Sequence, residues 1–317
     1  MSHFINPFTD YGFKKIFGQE VSKELLIDFL NSLLLGERVI KDLTFLNNER
    51  LPGDEDMRAI IYDVYCTTDS GEQIIVEMQN RTQSNFKERA LYYVARALSE
   101  QGQRGRGWQY AVKAVYGVFF MNFTFEGEEA KFRTDVILSD RDTGKMFCDK
   151  MRQIFITMPL FDKDERSCTT DFERWIFVLK HMETLNRMPF KARKMLFERL
   201  EELCDVENLP AKERRMYQRS LDIYRTNLAI ESYAKEQQEK AWETGLAKGL
   251  AKGLAEGHAQ GHAQGHAEGH AQGHAEGRAQ GLAEGILETA KKMKASGIPI
   301  DIIKGCTGLL PEEIEKL

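Results

Sequence analysis

The chain has 317 residues, 42% of them hydrophobic and 29% charged, with a formal net charge of -5. That composition is globular and supplies a real core; the acidic balance excludes a uniformly basic nucleic-acid protein but leaves room for a local basic patch. No apolar run reaches the roughly 18 residues needed to span a bilayer, and the first residues lack a secretory signal pattern. Five scattered cysteines (Cys66, Cys148, Cys168, Cys204, Cys306) form no C-x-x-C pair, which fits buried thiols in a reducing compartment. These features predict a cytoplasmic protein without a membrane partner.

Residues 1–160 read as mixed α/β. The apolar positions of "KELLIDFLNSLLL", 25, 26, 29, 30, 33 and 34, form a helical stripe, and Gly36 follows as a stop. "KDLTFLNN" reads as a strand, and "IIYDVYCTTDSGEQIIVEMQN" as a hairpin. "NFKERALYYVARALSEQ" is helical. "AVYGVFFMNF" is apolar throughout, which suits a strand buried on both faces. "TDVILSD" and "QIFITMPL" add two strands. Residues 161–240 carry helical periodicity only. Residues 241–287 hold an unbroken glycine tetrad, and 288–317 read as two short helices begun by Pro299 and Pro311 and separated by Gly308.

The hairpin carries the chemistry. Side chains alternate along a strand, so Ile61, Asp63, Tyr65 and Thr67 share one face, and Ile60, Tyr62, Val64 and Cys66 the other. On the return strand Glu77 and Gln79 share a face, opposite Ile74, Val76 and Met78. A three-residue loop, Asp69-Ser70-Gly71, with Gly71 at positive φ, sets Asp63 against Glu77; a two-residue loop would put Asp63 among the apolar side chains. Opposed Cβ atoms lie about 4.5–5.5 Å apart. Two carboxylates that close repel, which raises a pKa or calls for a cation, and hard oxygen ligands suit Mg²⁺. The competing reading at this stage is a solvated sheet face with incidental polar residues.

Asp63, a strand–turn–strand interval and then Glu77-Met78-Gln79 resembles the PD-(D/E)xK nuclease signature. More narrowly, "NPFTDYGFKKIFG", "LLIDFLNSLL", "YDVYCTTDSGEQIIVEMQ", the glycine tetrads and "GLLPEEIEKL" resemble the Rpn-type recombination-promoting nucleases, which are transposase-like proteins. The resemblance implies a restriction-endonuclease-like core over residues 1–160, a mixed sheet flanked by helices, followed by the α-helical region and the tetrad helix or linker. It implies hydrolysis of DNA phosphodiesters with Mg²⁺ or Mn²⁺, linked to recombination, mobile elements or defence. By the motif, Asp63 and Glu77 hold the metal with the Met78 carbonyl, and Gln79 stands where the superfamily usually has Lys. Gln carries no charge to stabilise a developing phosphorane, so another basic group serves, or the chain is a weak or inert DNA-binding or self-assembling protein. Asp10 and Lys14 are candidates for further catalytic groups, against a surface turn and a solvated helix start.

Residues 81–113 hold seven basic side chains against two acidic ones. Arg81, Lys87, Arg89, Arg96, Arg104 and Arg106 are the candidate nucleic-acid contacts, suited to phosphates rather than bases; the competing reading is a charged outer helix face and a polar loop. In the tetrads, eleven glycines at every fourth position would cost a lone helix up to about 1 kcal/mol each. Either the segment is a flexible linker or another helix packs on the glycine stripe, and the strict spacing favours homo-oligomerisation. The five histidines (His258, His262, His266, His270, His274) share their slot with Leu and Arg, which points to repeat expansion rather than a zinc site.

Overall fold

The computed structural model describes residues 3–50, 60–83, 85–103, 105, 107–125, 131–190 and 194–317. They divide into two compact units, Met1–Tyr233 and Ala234–Leu317.

The first unit is built on a six-stranded sheet. In chain order its strands are β1 (Leu43–Phe45), β4 (Val64–Thr68), β5 (Gln73–Gln79), β6 (Val115–Met121), β7 (Arg133–Ser139) and β8 (Met146–Thr157), with β2 (Glu49–Arg50) and β3 (Ile60–Ile61) paired separately. The spatial order is β1-β4-β5-β6-β8-β7. Strands β5, β6 and β8 run parallel, and the outer pairings are antiparallel. Helix α3 (Phe86–Ser99) makes the crossover from β5 to β6, as a parallel pair requires.

Alternate residues of each central strand feed two different cores. Val64, Cys66, Ile74, Val76, Val118 and Phe120 join a large cluster with α1 (Asp10–Phe17), α2 (Lys23–Leu33) and α4 (Asp171–His181). Tyr65, Ile75, Val115, Phe119 and Phe155 join a second cluster under α3. The sheet is therefore covered on both faces, and β6 is buried along its whole length. Phe17, Phe29, Phe120 and Trp175 pack ring to ring at the centre of the larger cluster. Each such side chain stabilises the fold by about 1.5–3 kcal/mol.

Two expectations need correction. Ile60 and Tyr62 lie in the α3-side cluster with Tyr65, not with Val64 and Cys66. A bend at Asp63 breaks the extended chain between β3 and β4, and the side-chain alternation shifts there. Strand β8 also begins at Met146 rather than near Gln153, because residues 146–150 lie outside its pairing with β6, have only the edge strand β7 beside them and are too exposed to show an apolar run.

Helices α4, α5 (Lys194–Cys204) and the start of α6 (Ala211–Ala295) close the larger core: Trp175, Phe197, Leu200, Tyr217 and Leu221 are buried in it. In the second unit α6 runs on through the tetrads. Leu246, Leu250, Leu254 and Leu282 are 64–76% exposed, and a Cβ added at any glycine from Gly245 to Gly285 would meet nothing within 4 Å. Helices α7 (Ile300–Thr307) and α8 (Pro311–Lys316) fold back so that Ile303 and Ile314 bury Ala290, with Gly308 at φ 76° between them. Among the described residues, no helix is long and apolar enough to cross a membrane.

Candidate active site

The hairpin has the register that its loop demands. Gly71 sits at φ 87°, Thr68 N–H donates to Glu72 O at 2.8 Å, and Val64 lies opposite Val76. One residue further along, Asp63 stands opposite Glu77. Its backbone N–H donates to Glu77 Oε1 at 3.0 Å, and its Oδ2 accepts from Met78 N–H at 2.9 Å. Asn48 Nδ2 donates to the Asp63 carbonyl at 3.0 Å and fixes the bend from the other side. In an extended strand the N–H and C=O of one residue point the same way, so the Met78 carbonyl faces the strand that carries Asp63.

Glu77 is 4% exposed. Burial raises its carboxyl to about 8, the charge of Asp63 adds to the rise, and burial also pushes Asp63 upward. The Met78 N–H, Lys14 and Arg89 oppose the Asp63 shift without reversing it. Two sheltered carboxylates side by side cannot both ionise cheaply at neutral pH.

Two cations approach this pair from opposite faces of the sheet. Arg89, in the first turn of α3, places its guanidinium 3.7 Å from Glu77 Oε2. Its Nη1 donates to Gln83 Oε1 at 2.9 Å and the guanidinium lies over the Tyr93 ring, while its buried Nε has no hydrogen-bond partner among the described residues. Lys14, on α1, pairs with Asp10 at 2.6 Å. Burial lowers its pKa, but Asp10, then Asp63 and Glu77, raise it to a net increase.

The N-terminal motif explains why α1 sits where it does. Asn6 Oδ1 accepts from Phe8 N–H, Thr9 Oγ1 donates to Asn6 O, and Thr9 then caps α1 by accepting from Gly12 N–H at 3.0 Å. Gly12 is required by contact: a Cβ there would lie 2.1 Å from Asn6 O. Tyr11 and Lys15 both reach Glu213 of α6, at 2.6 and 2.7 Å, and Asn6 N–H donates to Tyr217 OH. The helical extension thus holds the motif that carries Asp10 and Lys14.

The other sequence candidates fall less tightly. Gln79 Nε2 donates to Arg81 O at 3.1 Å, which turns its amide back on its own chain. Arg96 pairs with Glu100 at 2.9 Å, and Lys87 lies over the Phe125 ring. Arg89 and Arg96 are seven residues apart and share a helix stripe, whereas Lys87 points elsewhere. Arg104 and Arg106 lie outside the described residues. The contact of Arg89 with Glu77 was missed by sequence reasoning; the available signal was a basic residue one turn into the helix that follows the Glu77 strand.

The donor set fits a hard divalent cation. Two buried carboxylates and a carbonyl suit an ion that keeps several waters. Among the described residues no three His, Cys, Asp or Glu side chains cluster as a complete protein cage, which such an ion does not need. When bound there it would be held by Asp63, Glu77 and the Met78 carbonyl.

A covered mixed sheet with paired carboxylates at the end of a parallel strand defines a restriction-endonuclease-like α/β protein. The chain belongs to the PD-(D/E)XK nuclease family transposases, whose family profile matches residues 7–232. That range takes in α1, the hairpin, α3 and the start of α6. It is a nuclease family, which implies DNA as the substrate, and PD-(D/E)XK nucleases typically use divalent metal ions. No curated protein and no solved structure gives a significant match.

Proposed function

We propose that the protein is a Mg²⁺- or Mn²⁺-dependent DNA endonuclease that serves recombination, mobile elements or defence. The observation that supports this reading best is the buried Asp63–Glu77 pair, whose raised pKa values a cation would relieve. A bound divalent ion supplies Lewis acidity towards the phosphodiester and the attacking water. Arg89 supplies the positive charge that Gln79 lacks, and it stabilises charge developing on the phosphate oxygens. Lys14, held by Asp10, adds a second cation from the other face. The Gln79 amide, released from Arg81 O, orients the water. Arg81, Lys87 and Arg96 contact phosphates; Arg104 and Arg106 join them as phosphate contacts on the strength of the sequence alone.

The test is plasmid cleavage with Mg²⁺, with Mn²⁺ and with EDTA, by wild type and by Asp63→Ala and Glu77→Ala. Cutting that depends on the metal and disappears in both variants is expected; cutting that survives both substitutions refutes the site. Gln79 in the usual Lys position favours a second reading, an inert DNA-binding protein of the same fold. DNA binding without cutting under either metal would select it.

The open glycine stripe supports self-association through the repeat, since a lone helix with so many glycines is unstable in water. Deleting residues 245–285 should lower the number of chains per particle measured by light scattering in solution. An unchanged oligomeric state refutes the assembly.

A further inference from the structure

A cleft of about 680 Å³ lies between α1 and the part of α6 from Met216 to Glu231. We infer that it holds one unpaired nucleotide of the DNA strand being cut, adjoining the scissile phosphate. The inference rests on the nuclease reading above and adds to it a substrate class, DNA with an unpaired nucleotide at the cut.

Size comes first. The volume is that of a small-molecule site; a nucleotide fits, whereas a duplex, whose major groove alone is about 12 Å wide, does not. Its lining is mainly apolar, with Phe8, Tyr11 and Tyr224 among the residues and Ile223 on the α6 side. Aromatic walls hold any base by stacking without reading its identity.

Position and charge support the same occupant. Asn80 and Arg81 line the cleft directly after Gln79, and Lys14 lines it while also acting electrostatically on Asp63 and Glu77. A strand whose phosphate lies at the carboxylates therefore runs straight into the cleft. Arg81 on one wall and Arg219 on the other face the path of its backbone. The acids there are Asp10, already paired with Lys14, and Glu231. Asn80 Nδ2 donates to Phe8 O at 2.7 Å, but its buried Oδ1 has no partner among the described residues. A buried acceptor without a donor is costly, and a base that carries an exocyclic amine offers one once the Asn80 amide turns to the cleft, a preference added to the stacking.

The test uses the full chain and a single-stranded tetranucleotide carrying 2-aminopurine, in EDTA, with fluorescence as the readout. Wild type should bind, and Arg219→Glu and Ile223→Glu, both at exposed helix positions, should each weaken binding about tenfold or more. Lys212→Glu, on the same helix outside the cleft, should bind as wild type. In cleavage, a duplex with one unpaired nucleotide should be cut about tenfold faster than its fully paired counterpart, and the two cleft variants should erase that ratio. Unchanged binding by both cleft variants, or equal cutting of the two duplexes by wild type, overturns the inference. So does tight binding of a free deoxynucleoside monophosphate that leaves tetranucleotide binding unaffected. Failure to cut any substrate refutes the nuclease reading instead, and the binding arm still decides the cleft.

Discussion

Asp63 and Glu77 are joined through the backbone: the N–H of Asp63 donates to Glu77 Oε1 at 3.0 Å. The two carboxylates are thus locked together by the hairpin register, and their repulsion is built into the fold rather than induced by a ligand. Without a cation the cost appears as pH dependence. The folded Glu77 value lies above its ordinary 4.5, so its contribution to stability is complete below pH 4.5 and is lost as pH rises through about 8.

Glu77→Gln should remove that loss. In EDTA the variant should be more stable than wild type above pH 8 by about 1–3 kcal/mol, and equal to it near pH 4.5. Mg²⁺ should stabilise wild type and leave the variant unmoved. Thermal unfolding from pH 5 to 9, with and without the metal, reads both effects; identical pH profiles for the two proteins would remove the electrostatic account.

Arg89→Ala should lower kcat about 10²–10³-fold with a small change in KM if, as proposed, the guanidinium 3.7 Å from Glu77 acts at the site and not as a distant phosphate contact. Arg89→Lys should restore part of the rate. A variant with normal kcat and a reduced salt dependence of binding would return Arg89 to the DNA-contact surface.

Gly12→Ala should destabilise the first unit by about 2–4 kcal/mol, since the new methyl would collide with Asn6 O. Gly249→Ala, where a Cβ meets nothing within the chain, should raise the stability of the dissociated helix by up to about 1 kcal/mol while weakening the proposed self-association through the glycine stripe. Urea unfolding of both variants distinguishes contact from propensity.

Glu173 closes the capping box of α4 with Thr170 and bonds Lys163. Burial pushes its carboxyl up, but the Lys163 ammonium and the N–H groups of Thr170 and Thr169 outweigh that and hold it at about 2. Its stabilising effect is present above pH 4.5 and is lost as pH falls through about 2. Glu173→Gln should cost about 1–2 kcal/mol at pH 7 and flatten the acid limb of the stability curve. A wild-type acid limb in the variant would contradict the cap.

The parts legible in the sequence were those governed by local rules. Asp69-Ser70-Gly71 selects one loop, the loop selects one register, and the register pairs Asp63 with Glu77. Alternation then failed at Tyr62, where a bend held by Asn48 resets the faces, because no local signal marks a contact made fifteen residues away. Arg89 read as one basic residue among several until the crossover helix was laid beside the end of β5. Gly12 carries no sequence signal of its own; the close approach of Asn6 O gives it a reason. Lys14 gained its place through Tyr11, Lys15 and Glu213, contacts separated by some two hundred residues of chain.

The tetrad repeat has a genetic consequence. Four codons make one unit, so slippage during replication adds or removes whole tetrads and keeps the reading frame. On a helix, each tetrad gained lengthens the repeat by about 6 Å and turns its end by about 40°. Nine tetrads would bring it back to the same bearing. Copies of the gene that differ only in repeat number would then encode the same first unit followed by a repeat of different length, and chains of unequal repeat number could not align both their glycine stripes and their ends.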